Sequence, residues 1–161
     1  MLHGELRGLL ECVAGGSLFQ EPEFADLPDP LRRLRDIAFS GDGEPTTCKL
    51  FTEAVRVAAE LKRELKLPDV KLVLITDAAY LSRPAVEAGL AVMDEAGGEI
   101  WAKLDAGTQG YYQRINRPNV PLDHVVREIA AAARRRPVVI QSLFMRVDGA
   151  GPDEAEITAY A

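Results

Sequence analysis

Two carboxylates within one glycine-rich turn, Asp42 and Glu44, are the first candidates for chemistry in this sequence. The turn covers residues 40–45 and reads Ser40-Gly41-Asp42-Gly43-Glu44-Pro45. Glycine adopts positive φ at little cost, so such a turn can present its backbone edge to a ligand. A carboxylate beside a backbone edge suits an ammonium group, because both offer acceptors to a cation. The turn is therefore the first candidate binding site.

The turn lies between an apolar strand and a long helix. Residues 37–39 form a short apolar run that predicts a buried strand, and residues 46–67 place apolar side chains at helical spacing. Pro45 fits the first turn of that helix, where its missing N–H has no intrahelical partner. Loops at the carboxyl ends of parallel strands commonly bind ligands. A plain strand-to-helix connection with its cap is the other interpretation that these residues leave open.

The rest of the chain repeats this strand–loop–helix unit. We predict one domain over residues 1–161, with a leading helix at 1–16, a loop at 17–35 and βα repeats over 36–161. Further strands are predicted at 70–76, 99–104 and 138–147, and helices at 84–96, 111–116, 122–135 and from 153 onward. Such long crossovers require a parallel sheet with right-handed connections. A closed barrel and an open doubly wound sheet both fit this pattern.

Composition narrows the class of protein. The net charge is −6, which argues against a general nucleic-acid-binding surface. The chain has two cysteines, Cys12 and Cys48, far apart in sequence, so we expect a reducing, cytoplasmic compartment and no disulfide framework. The first residues do not resemble a signal peptide, and no stretch reaches the roughly 20 apolar residues that a membrane helix requires.

Several consecutive segments resemble one enzyme family. These segments are IAFSGDGEPTT (37–47), KLVLITDA (71–78), EIWAKLDAGT (99–108), YYQRINRPNVPLDHV (111–125) and VVIQSLFMRVDG (138–149). They resemble the radical S-adenosylmethionine proteins of the iron–sulfur oxidoreductase group related to tRNA-wybutosine synthesis enzymes. The resemblance implies a partial, six-stranded (β/α) barrel, similar to a TIM barrel with parallel strands. It also implies a [4Fe–4S] cluster and reductive cleavage of S-adenosylmethionine to a 5′-deoxyadenosyl radical.

The resemblance assigns roles to the ends of the strands. Residues 40–45 correspond to the family's Gly-Gly-Glu-Pro motif, which binds the methionine amino group. Thr76 and Asp77 follow the next strand, where related sequences usually have Asn in place of Asp77. Lys103 and Asp105 lie where the ribose or the carboxylate is contacted, and Gln141 and Ser142 lie near the expected adenine.

The cluster ligands are missing from this sequence. The family holds three irons with a Cys-x3-Cys-x2-Cys loop, and Cys12 and Cys48 cannot supply three thiolates on one loop. We therefore expect an incomplete radical S-adenosylmethionine core, truncated at both ends and inactive alone. An uncovered apolar side of the sheet predicts oligomers or aggregation.

Two other functions remain open. The chain could be a non-catalytic half that completes a barrel with a cysteine-bearing partner chain, or that associates with itself through open sheet edges. It could also be a cluster-free α/β enzyme with Asp42, Glu44 and Asp105 around a metal ion. The resemblance leaves tRNA open as a partner, and the substrate is not specified by these residues.

Overall fold

The computed structural model describes residues 2–161 and shows an α/β protein with one parallel sheet. Its four strands are β1 (Asp36–Phe39), β2 (Lys71–Thr76), β3 (Gly98–Lys103) and β4 (Val138–Gln141). They are arranged in the order β1-β2-β3-β4, and each neighbouring pair is parallel. The predicted parallel sheet is thus confirmed. The four strands form an open sheet, so closure into a barrel stays a prediction.

Helices connect the strands and flank them. They are α1 (Leu2–Ala14), α2 (Phe51–Glu64), α3 (Pro84–Glu95), α4 (Gln109–Asn116), α5 (Leu122–Ala133) and α6 (Glu154–Tyr160). Each crossover leads to the next strand in the same direction across the sheet. Right-handed crossovers of this kind place their helices on one face. Among the described residues, no helix is long and apolar enough to cross a membrane.

The core lies between that face of the sheet and the crossover helices. Strand residues Leu72, Leu74 and Ile100 are fully buried and pack in one cluster with residues of α2, α3 and α5. The helix residues in the cluster include Val55, Ala58, Leu90, Met93, Val125 and Ile129. Burying such side chains stabilises the fold by about 1.5–3 kcal/mol each. The core therefore holds the strands so that all four carboxyl ends meet at one edge.

The opposite face of the sheet is partly open. Register partners share a face in a parallel sheet, so Ala38, Val73, Glu99 and Lys103 belong to this side. Val73 is buried there and Glu99 is half-buried, whereas Ala38 and Lys103 are exposed. This face of the sheet therefore combines buried and exposed positions.

Two predicted element boundaries are wrong. The helix expected from residue 46 begins at Phe51, because Pro45–Thr47 form a separate 3-10 turn that ends in extended backbone at Cys48. The fourth strand ends at Gln141 rather than 147, because the chain leaves the sheet and forms a tight loop closed by Val147 and Ala150. The predicted leading helix is confirmed over Leu2–Ala14, and Cys12 is exposed on it.

Candidate functional site

The carboxyl edge of the sheet collects the residues predicted as a site. The 40–45 turn follows β1, Thr76 and Asp77 end β2, Lys103 and Asp105 end β3, and Gln141 and Ser142 end β4. The structure therefore places all of them at one edge. Their contacts separate them into residues that hold loops together and residues that face solvent.

Glu44 joins the loop after β1 to the end of β2. Its Oε1 accepts hydrogen bonds from Thr46 N at 3.0 Å, Thr46 Oγ1 at 2.6 Å and Thr76 Oγ1 at 2.6 Å. Its Oε2 accepts from Asp77 N at 2.8 Å. Both carboxylate oxygens thus have donors from the protein. Glu44 caps the 3-10 turn and positions the 40–43 backbone, so its contribution to a ligand would be indirect.

Asp77 lies beside this carboxylate. Its Oδ1 accepts a hydrogen bond from Ala79 N at 2.9 Å, which closes a turn directly after β2. Partial burial of the carboxyl group raises the pKa of Asp77, and the negative charge of Glu44 raises this pKa further, while the hydrogen bond from Ala79 opposes both effects. Two acids side by side hold a proton more readily than either would alone. Asp77 and Glu44 thus place two acidic groups next to each other at this edge.

Asp105 fastens the loop after β3 to β4 and α4. Its side chain is 4% exposed, and its Oδ1 accepts from Leu143 N at 2.8 Å. Its Oδ2 accepts from Asn116 Nδ2 at 3.0 Å and lies 3.7 Å from Lys103 Nζ. The carboxylate is enclosed by protein donors. Lys103 remains exposed and can reach solvent or a ligand.

The end of β4 is covered by α6. Ser142 Oγ donates to Leu104 O at 2.6 Å and also forms a hydrogen bond with Tyr160 OH. Phe144 packs edge-to-face on the Tyr160 ring, with 5.0 Å between centroids. Gln141 is exposed. Ser142 is thus part of the contact between β3, β4 and α6.

Glu156 is a structural residue of this edge that the sequence reasoning missed. It is buried in α6, and its carboxylate accepts from Gly107 N at 2.5 Å, Thr108 N at 3.0 Å and Thr108 Oγ1 at 2.5 Å. Thr108 in turn caps α4. In the sequence Glu156 follows the N-cap Asp153 and has the pattern of an ordinary first-turn acid. Its partners are about 50 residues away, so no local pattern reveals them.

Tyr112 of α4 faces the same edge. Burial of its ring raises the pKa of the Tyr112 hydroxyl, and the charges of Asp77 and Asp105 raise this pKa further. Tyr112 is therefore neutral at physiological pH.

The backbone of the 40–43 turn is the most accessible part of the site. Gly41 and Gly43 have φ of 145° and 154°, a region that side chains disfavour. Ser40 and Asp42 are exposed. The turn borders a cavity of about 340 Å³ that also reaches Phe39, Cys48 and Phe51. The turn thus has the glycine geometry that the sequence predicted, and Asp42 is not among the hydrogen-bond partners of Glu44.

The iron–sulfur cluster implied by the resemblance does not fit this chain. Cys12 lies in α1 and Cys48 lies before α2, and both thiols are free. A cluster of this class needs three thiolates on one site, and two cysteines cannot provide them. Within residues 2–161, no three His, Cys, Asp or Glu side chains gather as a metal site, so Asp42, Glu44 and Asp105 are not assembled into one.

The fold and the edge define a class: a parallel α/β protein with polar loops at the carboxyl ends of its strands. Comparisons with protein-family models, curated proteins and solved structures find no match for this chain. Its function therefore has to be argued from the geometry of this edge.

Proposed function

We propose that this chain is a radical S-adenosylmethionine-type barrel segment that binds S-adenosylmethionine through its carboxyl edge without performing the radical reaction by itself. The exposed 40–43 turn carries this proposal, because it combines a glycine backbone edge with the exposed carboxylate of Asp42. The turn is followed by Glu44, which accepts a hydrogen bond from Asp77 N. An ammonium group is attracted to such an acidic backbone edge. The segment resemblance over residues 37–149 supports the same assignment.

Different residues would contact the two ends of the proposed ligand. The methionine ammonium would contact Asp42 and the 40–43 backbone, with Glu44 holding that backbone in place. Lys103 and Gln141 are the exposed residues on the β3 and β4 side and suit the polar groups of the nucleoside. No step through an iron–sulfur cluster is assigned, because this chain lacks the thiolates.

An NMR titration tests the proposal. Adding S-adenosylmethionine to ¹⁵N-labelled protein should shift amide signals of residues 40–44, 76–77 and 103–105. Asp42→Ala should weaken binding about tenfold, which corresponds to about 1.4 kcal/mol for one lost charged contact. Asp26→Ala removes the same charge from an exposed position outside the site and should leave affinity unchanged.

Two results would contradict the proposal. One concerns the ligand: either these amide signals do not shift with millimolar ligand, or Asp42→Ala and Asp26→Ala weaken binding equally. The other concerns the cluster: after anaerobic reconstitution with iron and sulfide we expect almost no bound iron, so a stoichiometric four-iron cluster would refute the assignment of this chain as inactive alone.

A second candidate function is favoured by the edges of the sheet. Among the described residues, β1 pairs only with β2, and β4 pairs only with β3. Unpaired edges are templates for another strand. The chain would then be a barrel half whose sheet is completed by another polypeptide, with or without bound S-adenosylmethionine.

A further inference from the structure

The two edge strands match each other in length, and both leave apolar side chains exposed. β1 and β4 each contain four residues. Ala38 is exposed on β1, and Val139 and Ile140 are each 44% exposed on β4, although they point to opposite faces of the sheet. All-parallel sheets are normally covered on both faces. Apolar exposure on both faces of one strand indicates that β4 is covered by more than its own chain.

The backbone of both edges is ready for pairing. In a parallel ladder, alternate residues direct N–H and C=O to the same neighbour. Ile100 N donates to Pro137 O, and Leu104 N donates to Gln141 O. The backbone N–H and C=O of the odd-numbered β4 residues therefore point towards β3, and those of Ile140 point away from it. Lys71 N donates to Arg35 O, so by the same alternation the backbone N–H and C=O of Ala38 in β1 point away from β2.

The open face is balanced in charge, unlike the chain as a whole. It carries the acids Asp36 and Glu99 and the cations Lys71 and Lys103, whereas the chain has a net charge of −6. Lys71 Nζ and Glu99 Oε2 already form an ion pair at 2.7 Å. A second copy of this face can therefore approach without net repulsion. The same face offers Trp101 and Val139 as apolar surface.

We propose that two copies of this chain close into one eight-stranded parallel barrel, with β4 of each copy paired to β1 of the other. Eight strands form a parallel barrel whose interior is just filled by side chains. The arrangement has two-fold symmetry and leaves no open edge. This inference rests on the barrel-half proposal and does not depend on binding of S-adenosylmethionine.

Light scattering after size-exclusion chromatography measures the outcome directly. The wild-type chain should have twice its 17.6 kDa mass. Ala38→Pro and Ile140→Pro should each produce monomers, because each removes an outward N–H without breaking a ladder bond to β2 or β3. Ile157→Lys changes an exposed apolar residue of α6, outside both edges, and should leave the dimer intact.

Circular dichroism and urea unfolding check that the proline variants remain folded. If a proline variant unfolds, Ile140→Lys replaces it, since a charge on an edge strand also prevents pairing. A folded wild-type monomer at 100 μM would overturn the proposal. A dimer that survives Ala38→Pro but not Ile140→Pro would also overturn it, because that result would indicate β4–β4 pairing. Oligomers that grow with concentration, or one-to-one binding of a different chain, would contradict it as well. Titration with S-adenosylmethionine tests the ligand separately.

Discussion

The pair of acids Glu44 and Asp77 gives the sharpest prediction for stability. The pKa of Asp77 is raised in the folded state, by burial first and by Glu44 second. A raised pKa means that the folded protein binds this proton more tightly than the unfolded chain does. Ionised Asp77 therefore costs stability at neutral pH. That cost is absent below the unfolded pKa of about 4 and develops as pH rises through the folded pKa.

Asp77→Asn should remove this cost. An Asn side chain keeps the oxygen that accepts from Ala79 N and places an N–H donor beside Glu44 in place of a second negative charge. Asp77 is exposed as a residue, so water screens the repulsion and its removal contributes less than about 1 kcal/mol. With a new hydrogen bond of about 0.5–1.5 kcal/mol, we expect a gain of about 1 kcal/mol at pH 7.

Urea unfolding at pH 7, 5.5 and 4 measures this gain. The difference between Asp77→Asn and wild type should be largest at pH 7 and should shrink towards pH 4, as the wild-type carboxyl takes up its proton. In thermal unfolding a gain of 1 kcal/mol corresponds to about 2–4 °C for a chain of this size. Asp42→Asn, at the same edge of the sheet but outside the Glu44 network, should change stability by less than about 0.5 kcal/mol. Loss of stability at pH 7, or a gain independent of pH, would refute the reasoning.

Three further substitutions test the contacts around the site. Glu44→Ala should lower the free energy of unfolding by about 2–3 kcal/mol, because it leaves four donors without their acceptor. A loss below about 0.5 kcal/mol in urea unfolding would contradict the role of Glu44 in joining the two loops. Gly107→Ala should remove hydrogen-exchange protection from α6, since its Cβ would lie 2.2 Å from a backbone nitrogen there. Gly110→Ala has open space and should retain this protection. Gly89→Ala should cost about 1–3 kcal/mol, because its Cβ would lie 2.7 Å from the Phe51 ring; unchanged stability would refute this packing.

The strands could be predicted from the sequence because each is an apolar run between turn residues. The runs at 37–39, 70–76 and 99–104 all became strands, with ends shifted by a residue or so. The strand predicted over 138–147 was too long, because hydrophobicity indicates burial but not the presence of a neighbouring strand. Only its first four residues find β3, and the remainder turns back toward α6.

The candidate site was predictable in position and not in contacts. Loops after parallel strands meet at one edge, and this placed Asp42, Glu44 and Asp105 correctly. Glu44 and Asp105 use their carboxylate oxygens to hold loops together. Most of these contacts join residues far apart in sequence, so the spacing of residues along the chain could not predict them. The same holds for Arg136, which follows α5 as one of three arginines but is buried against Asp94, with Nε 3.0 Å from Oδ1.

The Glu156 contact has a consequence for the order in which the edge forms. Residues 107 and 108 leave the ribosome well before Glu156, which supplies the acceptor for both of their amides. Until α6 has been made, those amides have only water as a partner and α4 begins at an unsupported turn. By contrast, the Glu44 contacts between the β1 and β2 loops need no residue beyond Asp77. The shape of the β3 side is then determined late, by a helix that is distant in sequence and adjacent in space.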